Sequence, residues 1–378
     1  DNRATKMAAE PIVCPTDEVD SATPMTKVLS LYKFVPVADT ILLQSQLREL
    51  GAKHGVLGRL LVAPEGLNGT ISSDSTETTG VDTFLEELAQ DERFSSGVQF
   101  HRAEIPSSTR TFNRFSVQLR KEIVTLKQPD LCDPNQVKGV YVSSPAEWNA
   151  LLLDPECVVL DTRNDYEVEL GTFRNAINPN TEAFTEFPEF VQKTLDPSKH
   201  RKVAMFCTGG IRCEKASSYM LKSGFEKVYH LKGGIEGYLD NVDEQESLWD
   251  GECFVFDYRV AVGHGNKLGS YTRCFVCRGI LSKEDCLLPS FVKGYTCKHC
   301  VDMPEERRSG KLDRQRQFER QGMDQFRVFV PKSEAERIRA EKLQRKEEAR
   351  EREKAKPKKK AAAAVQQQSD HEDYVRQS

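Results

Sequence analysis

The stretch Val203-Ala204-Met205-Phe206-Cys207-Thr208-Gly209-Gly210-Ile211-Arg212-Cys213 decides how the middle of this 378-residue chain folds. Its first four residues are apolar without alternation, the signature of a strand buried on both faces, as in a parallel sheet covered by helices. The strand hands Cys207 to a glycine-bearing loop, and the run Glu214 to Ser223 continues at helical spacing. Strand, glycine loop and helix N-terminus in that order make an anion cradle. Glycines let successive N–H groups turn inward, and the helix dipole adds partial positive charge at the same point. Thr208, Gly209, Gly210 and Ile211 are the expected cradle residues, and Arg212 closes the ring with a permanent charge. Such a setting favours thiolate over thiol, so Cys207 is expected to be more acidic than a free thiol at about 8.5. It can then attack sulfane sulfur and hold the product as a persulfide. The competing reading is a buried structural thiol, since cysteine is among the most buried residue types. Core packing gives no reason for two glycines and an arginine beside it.

Phosphatases that work through cysteine use a similar loop with one more residue between Cys and Arg, and usually a His before the Cys. Here four residues intervene and Phe206 precedes, so the tighter ring suits a single sulfur atom rather than a phosphate. Cys213, which opens the helix, reads either as packing or as a resolving thiol.

Outward from this loop, short apolar runs at Cys157 to Leu160, Val203 to Phe206 and Lys227 to His230 alternate with helical patterns between Val140 and Asp243. That is an α/β domain with a parallel sheet. Upstream, Val28 to Val35, Gly58 to Ala63, Gly69 to Ser72 and Val98 to Glu104 read as strands. Thr40 to Leu50 and Val81 to Leu88 read as helices, and Phe115 to Leu126 offers further strand material. Strand-helix-strand-strand-helix-strand is the ferredoxin-like, or acylphosphatase-like, α+β order. Downstream lie an aromatic-rich strand candidate, Cys253 to Val262, and a cysteine cluster. The expected organisation is a disordered leader over 1–26, the ferredoxin-like domain over 27–127, the parallel-sheet domain over 136–246, a metal-binding segment over 249–302 and a charged helical or disordered tail over 303–378.

Further residues narrow the reading. The strand end Leu160-Asp161-Thr162-Arg163, the turn Gly171-Thr172-Phe173-Arg174-Asn175-Ala176 and Gly233-Gly234-Ile235 join the loop in resembling the rhodanese domain. Thr172 and Asn175 depart from it, where His and Gly are usual. Pro64-Glu65-Gly66-Leu67-Asn68-Gly69-Thr70, Asn178-Pro179-Asn180-Thr181, Cys207 to Lys215 and His230-Leu231-Lys232-Gly233-Gly234 resemble the tRNA uridine hydroxylase (TrhO) family, formerly UPF0176, from about Lys27 to about Cys300. The resemblance implies oxygen-dependent hydroxylation of the wobble uridine of tRNA to 5-hydroxyuridine, with the rhodanese cysteine as a persulfide intermediate. The residues alone do not reach that step. No dinucleotide fingerprint or ligand set for a redox-active iron is visible, so no organic cofactor is evident, and His371-Glu372-Asp373 sits in a polar tail. Asp161 and Arg163 read equally as a brace for the loop or as an ordinary surface ion pair.

Cys274-Phe275-Val276-Cys277 and Cys297-Lys298-His299-Cys300 form two C-x-x-C knuckles with 19 residues between them. Two tight turns supplying four thiolates to one tetrahedral ion is the pattern of a structural zinc site. Four incidental thiols are the alternative; Cys286 and His299 are spare ligands. Around the knuckles Lys267, Arg273, Arg278, Lys283, Lys293 and Lys298 alternate with Tyr271, Phe275, Phe291 and Tyr295. Basic groups neutralise phosphates and aromatics stack unpaired bases, although packing and solubility account for the same composition. Lys267, Arg273 and Lys298 are expected to face the Cys207 pocket and contact RNA.

The net charge of −4 argues against indiscriminate nucleic-acid binding. No run approaches the about 18 to 20 apolar residues of a membrane span, so no membrane partner is expected. Eleven unevenly placed cysteines suit a reducing, intracellular compartment, cytoplasmic or organellar, and a start at Asp1 is compatible with processing. The expected function is therefore a tRNA-modifying enzyme with a persulfide on Cys207, its expected partners being tRNA and a sulfur donor or small thiol. A plain sulfurtransferase or persulfide carrier comes next, and a non-catalytic tRNA-binding or scaffold protein last.

Overall fold

The computed structural model describes residues 25–73, 80–107, 111–112, 114–274, 276–293 and 295–305. Most of the expected leader and tail, including His371-Glu372-Asp373, and also Phe275, lie outside the described residues.

The first domain runs β1 (Met25–Phe34), α1 (Thr40–Lys53), β2 (Val56–Ala63), β3 (Gly66–Ser73), α2 (Gly80–Leu88), β4 (Gln99–Pro106) and β5 (Phe115–Leu119). Its sheet has the order β4-β1-β3-β2-β5. The first four strands pair antiparallel in the ferredoxin-like arrangement, and β5 is added parallel to β2. β5 stops at Leu119 because the chain beyond it finds other partners. The N–H of Ile123 donates to Glu65, and those of Leu126 and Lys127 donate to Glu122. Helix α1 starts where the Asp39 carboxylate accepts the Leu42 N–H at 2.8 Å. Leu43, Leu47 and Gly51, one turn apart, bury its inner face. Strand alternation then sorts β1. Leu29 and Leu31 pack into the core with α1 and α2, whereas Tyr32 and Phe34 belong to a second cluster with Ala63, Ile123 and Ile211. The sheet therefore offers one face to its own helices and the other to the second domain.

That domain contains β6 (Val140–Val142), α3 (Pro145–Leu153), β7 (Cys157–Asp161), α4 (Asp165–Val168), β8 (Gly171–Phe173), α5 (Phe187–Thr194), β9 (Lys202–Phe206), α6 (Ile211–Lys222), β10 (Lys227–Leu231) and α7 (Gly234–Asn241). β6-β10-β9-β7 form an all-parallel sheet. In β9, Val203 and Met205 pack with Leu160 and Tyr219, while Ala204 and Phe206 pack with Trp148 and Phe173 on the opposite side. Burial on both faces is why the strand carries no polar alternation.

Helix α6 ties the two domains together. Lys215 Nζ reaches Glu65 at 2.9 Å and Glu122 at 2.5 Å, and also the Val124 carbonyl at 2.9 Å. The Tyr32 hydroxyl donates to Glu214 at 2.9 Å, and Tyr141 donates to the same oxygen.

The remaining strands are short: β11 (Trp249–Gly251) against β8, β12 (Cys253–Phe254) against β13 (Ala261–Val262), and β14 (Thr272–Arg273) against β15 (Ile280–Leu281). The single strand expected over Cys253 to Val262 is instead a hairpin. Asp257 takes both the backbone N–H and the guanidinium of Arg259, and Val260 turns through a φ of 68°. No helix among the described residues is long and apolar enough to cross a membrane.

Candidate active site

Cys207 is fully buried just past the end of β9. Its Sγ accepts the Gly210 N–H at 3.1 Å. Gly210 caps α6 with a φ of 98°, a conformation open to glycine at little cost. The loop is held from behind by the start of α7, where the N–H groups of Ile235 and Glu236 donate to the Cys207 and Thr208 carbonyls at 3.0 and 3.1 Å. Gly234 makes that approach possible, since a Cβ there would lie 2.4 Å from both carbonyl oxygens.

Burial alone would push the Cys207 thiol up. Against it act a hydrogen bond from Cys213, the Arg212 charge and the backbone N–H groups of Cys213 and Arg212, which together bring it from 9.0 down to about 6. Cys213 moves the other way, well above its ordinary value, through burial and through its bond to Cys207. It also lies 3.6 Å from Thr162 Oγ1.

Arg212, expected to close the ring of the cradle, is buried and paired. Its guanidinium makes two hydrogen bonds to the buried Glu167 carboxylate, at 2.7 and 2.8 Å, and a third, at 3.4 Å, to Thr208 Oγ1. Burial would raise the Glu167 pKa, and the Arg212 charge and hydrogen bonds overcome it and hold the carboxyl below its usual range. Sequence reasoning missed Glu167. Its signal was the pattern Asn164-Asp165-Tyr166-Glu167, in which Glu167 reaches back to the Asn164 N–H at 3.0 Å to start α4.

Asp161 and Arg163 are fully buried, which overturns the surface-pair alternative. Arg163 joins the Asp161 carboxylate to the carbonyls of Glu167 and Gly171, and Thr172 adds a 3.0 Å bond to Asp161. The pair braces α4 and therefore Glu167 beneath the loop.

Cys207 opens on a cavity of about 760 Å³. One wall is the outward face of the first-domain sheet, where Ser30 and Tyr32 of β1, Arg59 and Leu61 of β2 and Asn68 and Thr70 of β3 project at alternate positions. The other wall combines the Cys207 loop with Phe256 and Tyr258 of the β12–β13 turn and with Arg273 and Arg278 beside the first knuckle. Of the three expected RNA contacts only Arg273 lines this cavity. Lys298 is engaged by Asp285 at 2.8 Å, and Lys267 closes a turn against Gly263 outside the lining. Alternation of basic and aromatic residues along an irregular segment carries no direction, and these two lysines do not line the cavity. Arg59 and Arg278, which sequence reasoning did not assign to the pocket, line it beside Arg273.

The sulfurs of Cys274, Cys277, Cys297 and Cys300 all lie within 4.8 Å of one another. The distances are 3.8 Å for Cys274–Cys300, 3.6 Å for Cys277–Cys297 and 3.7 Å for Cys297–Cys300. Zinc–sulfur bonds of about 2.3 Å in a tetrahedron require an edge of about 3.8 Å. The four thiols thus fit a metal such as zinc and leave no open coordination position. His299 turns to the Ile280 carbonyl, so this spare ligand is outside the set.

The UPF0176 acylphosphatase-like domain matches residues 26–123, and the rhodanese-like domain matches residues 144–241. Among solved structures, a rhodanese-related protein from Thermoplasma volcanium is 24% identical over 28% of this chain and 92% of its own, with a TM-score of 0.22. A rhodanese-like domain protein from Staphylococcus aureus is 21% identical over 29% and 94%, with a TM-score of 0.23. The polysulfide-sulfur transferase of Wolinella succinogenes is 23% identical over 27% and 74%, with a TM-score of 0.22. With an acylphosphatase-like domain, a rhodanese domain on a parallel sheet and a four-cysteine cluster in that order, the chain matches a UPF0176/TrhO-like rhodanese protein.

Proposed function

We propose that this rhodanese protein is a tRNA-modifying enzyme that works through a persulfide on Cys207. The observation carrying the reading is the cavity. A persulfide cradle needs room for one sulfur atom, whereas Cys207 opens on about 760 Å³ walled by all three parts of the chain. That volume lies in the range of pockets that enclose a whole small molecule. Exposed Phe256 and Tyr258 offer stacking faces at its edge, and Arg59, Arg273 and Arg278 supply phosphate-binding charge. The family resemblance points to oxygen-dependent hydroxylation of wobble uridine to 5-hydroxyuridine.

A sulfurtransferase or persulfide carrier serving a small acceptor is the second reading, favoured by the cradle itself, which is complete without the outer cavity. Nucleoside analysis of tRNA from cells lacking the protein separates the two. Loss of 5-hydroxyuridine at the wobble position is the expected result. Unchanged wobble nucleosides together with lost sulfur transfer from thiosulfate would leave only the second reading.

A further inference from the structure

Glu236 is a buried titratable group that the persulfide cradle leaves unused. It is the third residue of α7, and its N–H is tied to the Thr208 carbonyl, so its backbone is fixed to the loop. Its side chain lines the same cavity as Cys207, with Oε2 3.5 Å from where a Cβ on Gly209 would stand. Among the described residues no hydrogen bond reaches its carboxyl oxygens; the nearest cationic atoms are His101 Nδ1 at 3.7 Å and an Arg259 nitrogen at 4.0 Å. The other buried carboxylates here are built differently. Glu167 accepts two guanidinium bonds, and Asp161 accepts from Arg163 and Thr172. Burying a carboxyl without such partners is costly, and a ligand group arriving in the cavity removes the cost. Behind it stands His101 of β4, whose Nε2 lies 3.1 Å from Asn266 and 3.9 Å from Asp240. A carboxyl and an imidazole from two domains thus meet at one cavity wall.

We propose that Glu236, backed by His101, is the acid–base residue of the cavity, taking the proton from a small thiol that discharges the Cys207 persulfide. The proposal rests on the persulfide reading of Cys207. The acceptor R–SH gives its proton to the Glu236 carboxylate, and the resulting RS⁻ forms a bond to the terminal sulfur. The bond from that sulfur to Cys207 breaks with its electron pair staying on Cys207, and RSS⁻ leaves. One thiolate and one persulfide are consumed and one of each is formed, so no external oxidant or reductant is needed. The groups facing Glu236 are His101 from β4 and Arg259 and Asp257 from the β12–β13 turn, with Asp240 behind His101. Burial, more than any of these charges, holds the carboxyl above its usual range, with Asp257 adding to the shift and His101 and Arg259 opposing it. A carboxylate so raised is a better base for a thiol proton.

The test uses the full chain, loaded with thiosulfate until Cys207 gains the mass of one sulfur, then discharged with either glutathione or sulfite dianion, which has no proton to lose. Glu236→Gln should load and discharge to sulfite as the parent does, yet discharge to glutathione about a hundredfold more slowly. It should recover speed only as the pH approaches about 8.5, where a thiol ionises unaided. His101→Asn should slow glutathione discharge in the same selective way, to a smaller extent. Equal slowing with both acceptors would show a structural role, and parental glutathione discharge in Glu236→Gln would overturn the proposal outright. Failure of the parent protein to load would instead overturn the persulfide reading on which it stands.

Discussion

The chain presents sulfur on tight turns in two places, the Cys207 loop and the paired knuckles, and the surroundings of the two differ in kind. Cys207 stands as one sulfur among donors: the Gly210 N–H at 3.1 Å, the helix α6 dipole, Cys213 and the charge of Arg212. At the knuckles four sulfurs crowd within 4.8 Å, and four thiolates that close together require a cation. The same residue type is set up for thiolate chemistry where donors outnumber sulfurs and for metal binding where four sulfurs converge. Turn geometry alone does not distinguish them.

The comparison breaks most directly at Cys207→Ser. That variant should lose persulfide formation and sulfur transfer completely while keeping the parent's fold, because a hydroxyl cannot hold sulfane sulfur; surviving activity would assign the chemistry to another thiol. At the other site, elemental analysis should find one zinc per chain. Cys300→Ser should lose it, along with hydrogen-exchange protection across residues 272–300, since metal binding contributes about 10 kcal/mol or more to folding in small zinc modules. Protection in β9 should persist. An unprotected β9 would mean that the knuckles support the nucleophile's own strand.

Smaller effects sharpen the contrast. Arg212→Ala leaves the Glu167 carboxylate buried without its partner and should cost about 3–5 kcal/mol in denaturant unfolding. Parental stability would remove Arg212 from the framework of the loop. Alkylation of Cys207 by iodoacetamide should follow a titration near pH 6, against 9.0 for an ordinary thiol. Because the folded value is the lower one, ionisation of Cys207 adds its full share of stability above 9.0. That share declines as the pH falls and is lost as it passes through about 6. An alkylation midpoint near 9.0 would leave Cys207 no more acidic than an ordinary thiol. Least of all, Lys298→Glu should change stability by about 1 kcal/mol or less and leave tRNA binding intact, whereas Arg273→Glu should weaken that binding and reduce its salt dependence. Equal effects from both would mean that the outer face of the knuckles, and not the cavity, meets the RNA.

Much of this arrangement was legible in sequence because it is local. Val203 to Arg212 encodes a strand, a glycine turn and a helix start within ten residues, and the knuckle spacing encodes a four-thiol turn pair. The hairpin at Cys253–Val262 was not legible, since an apolar, aromatic run does not announce that Val260 will turn back. Nor was the pairing of Glu167 with Arg212, 45 residues apart, because no local rule chooses a distant partner for a buried charge. The cavity wall was the least visible part. Ser30, Asn68 and Thr70 are ordinary polar positions of an alternating strand until a second domain covers that face.

Glu214 and Lys215 are consecutive residues of α6, so their side chains leave the helix about 100° apart. One fastens Tyr32 and the other fastens Glu65 and Glu122. A single attachment would act as a pivot, whereas two at that angle fix both tilt and rotation. The first domain therefore cannot swing away from the catalytic helix without breaking both sets of bonds at once. The cavity beside Cys207 is therefore walled by two domains held in one fixed relation, with the half-exposed Phe256 and Tyr258 in its lining.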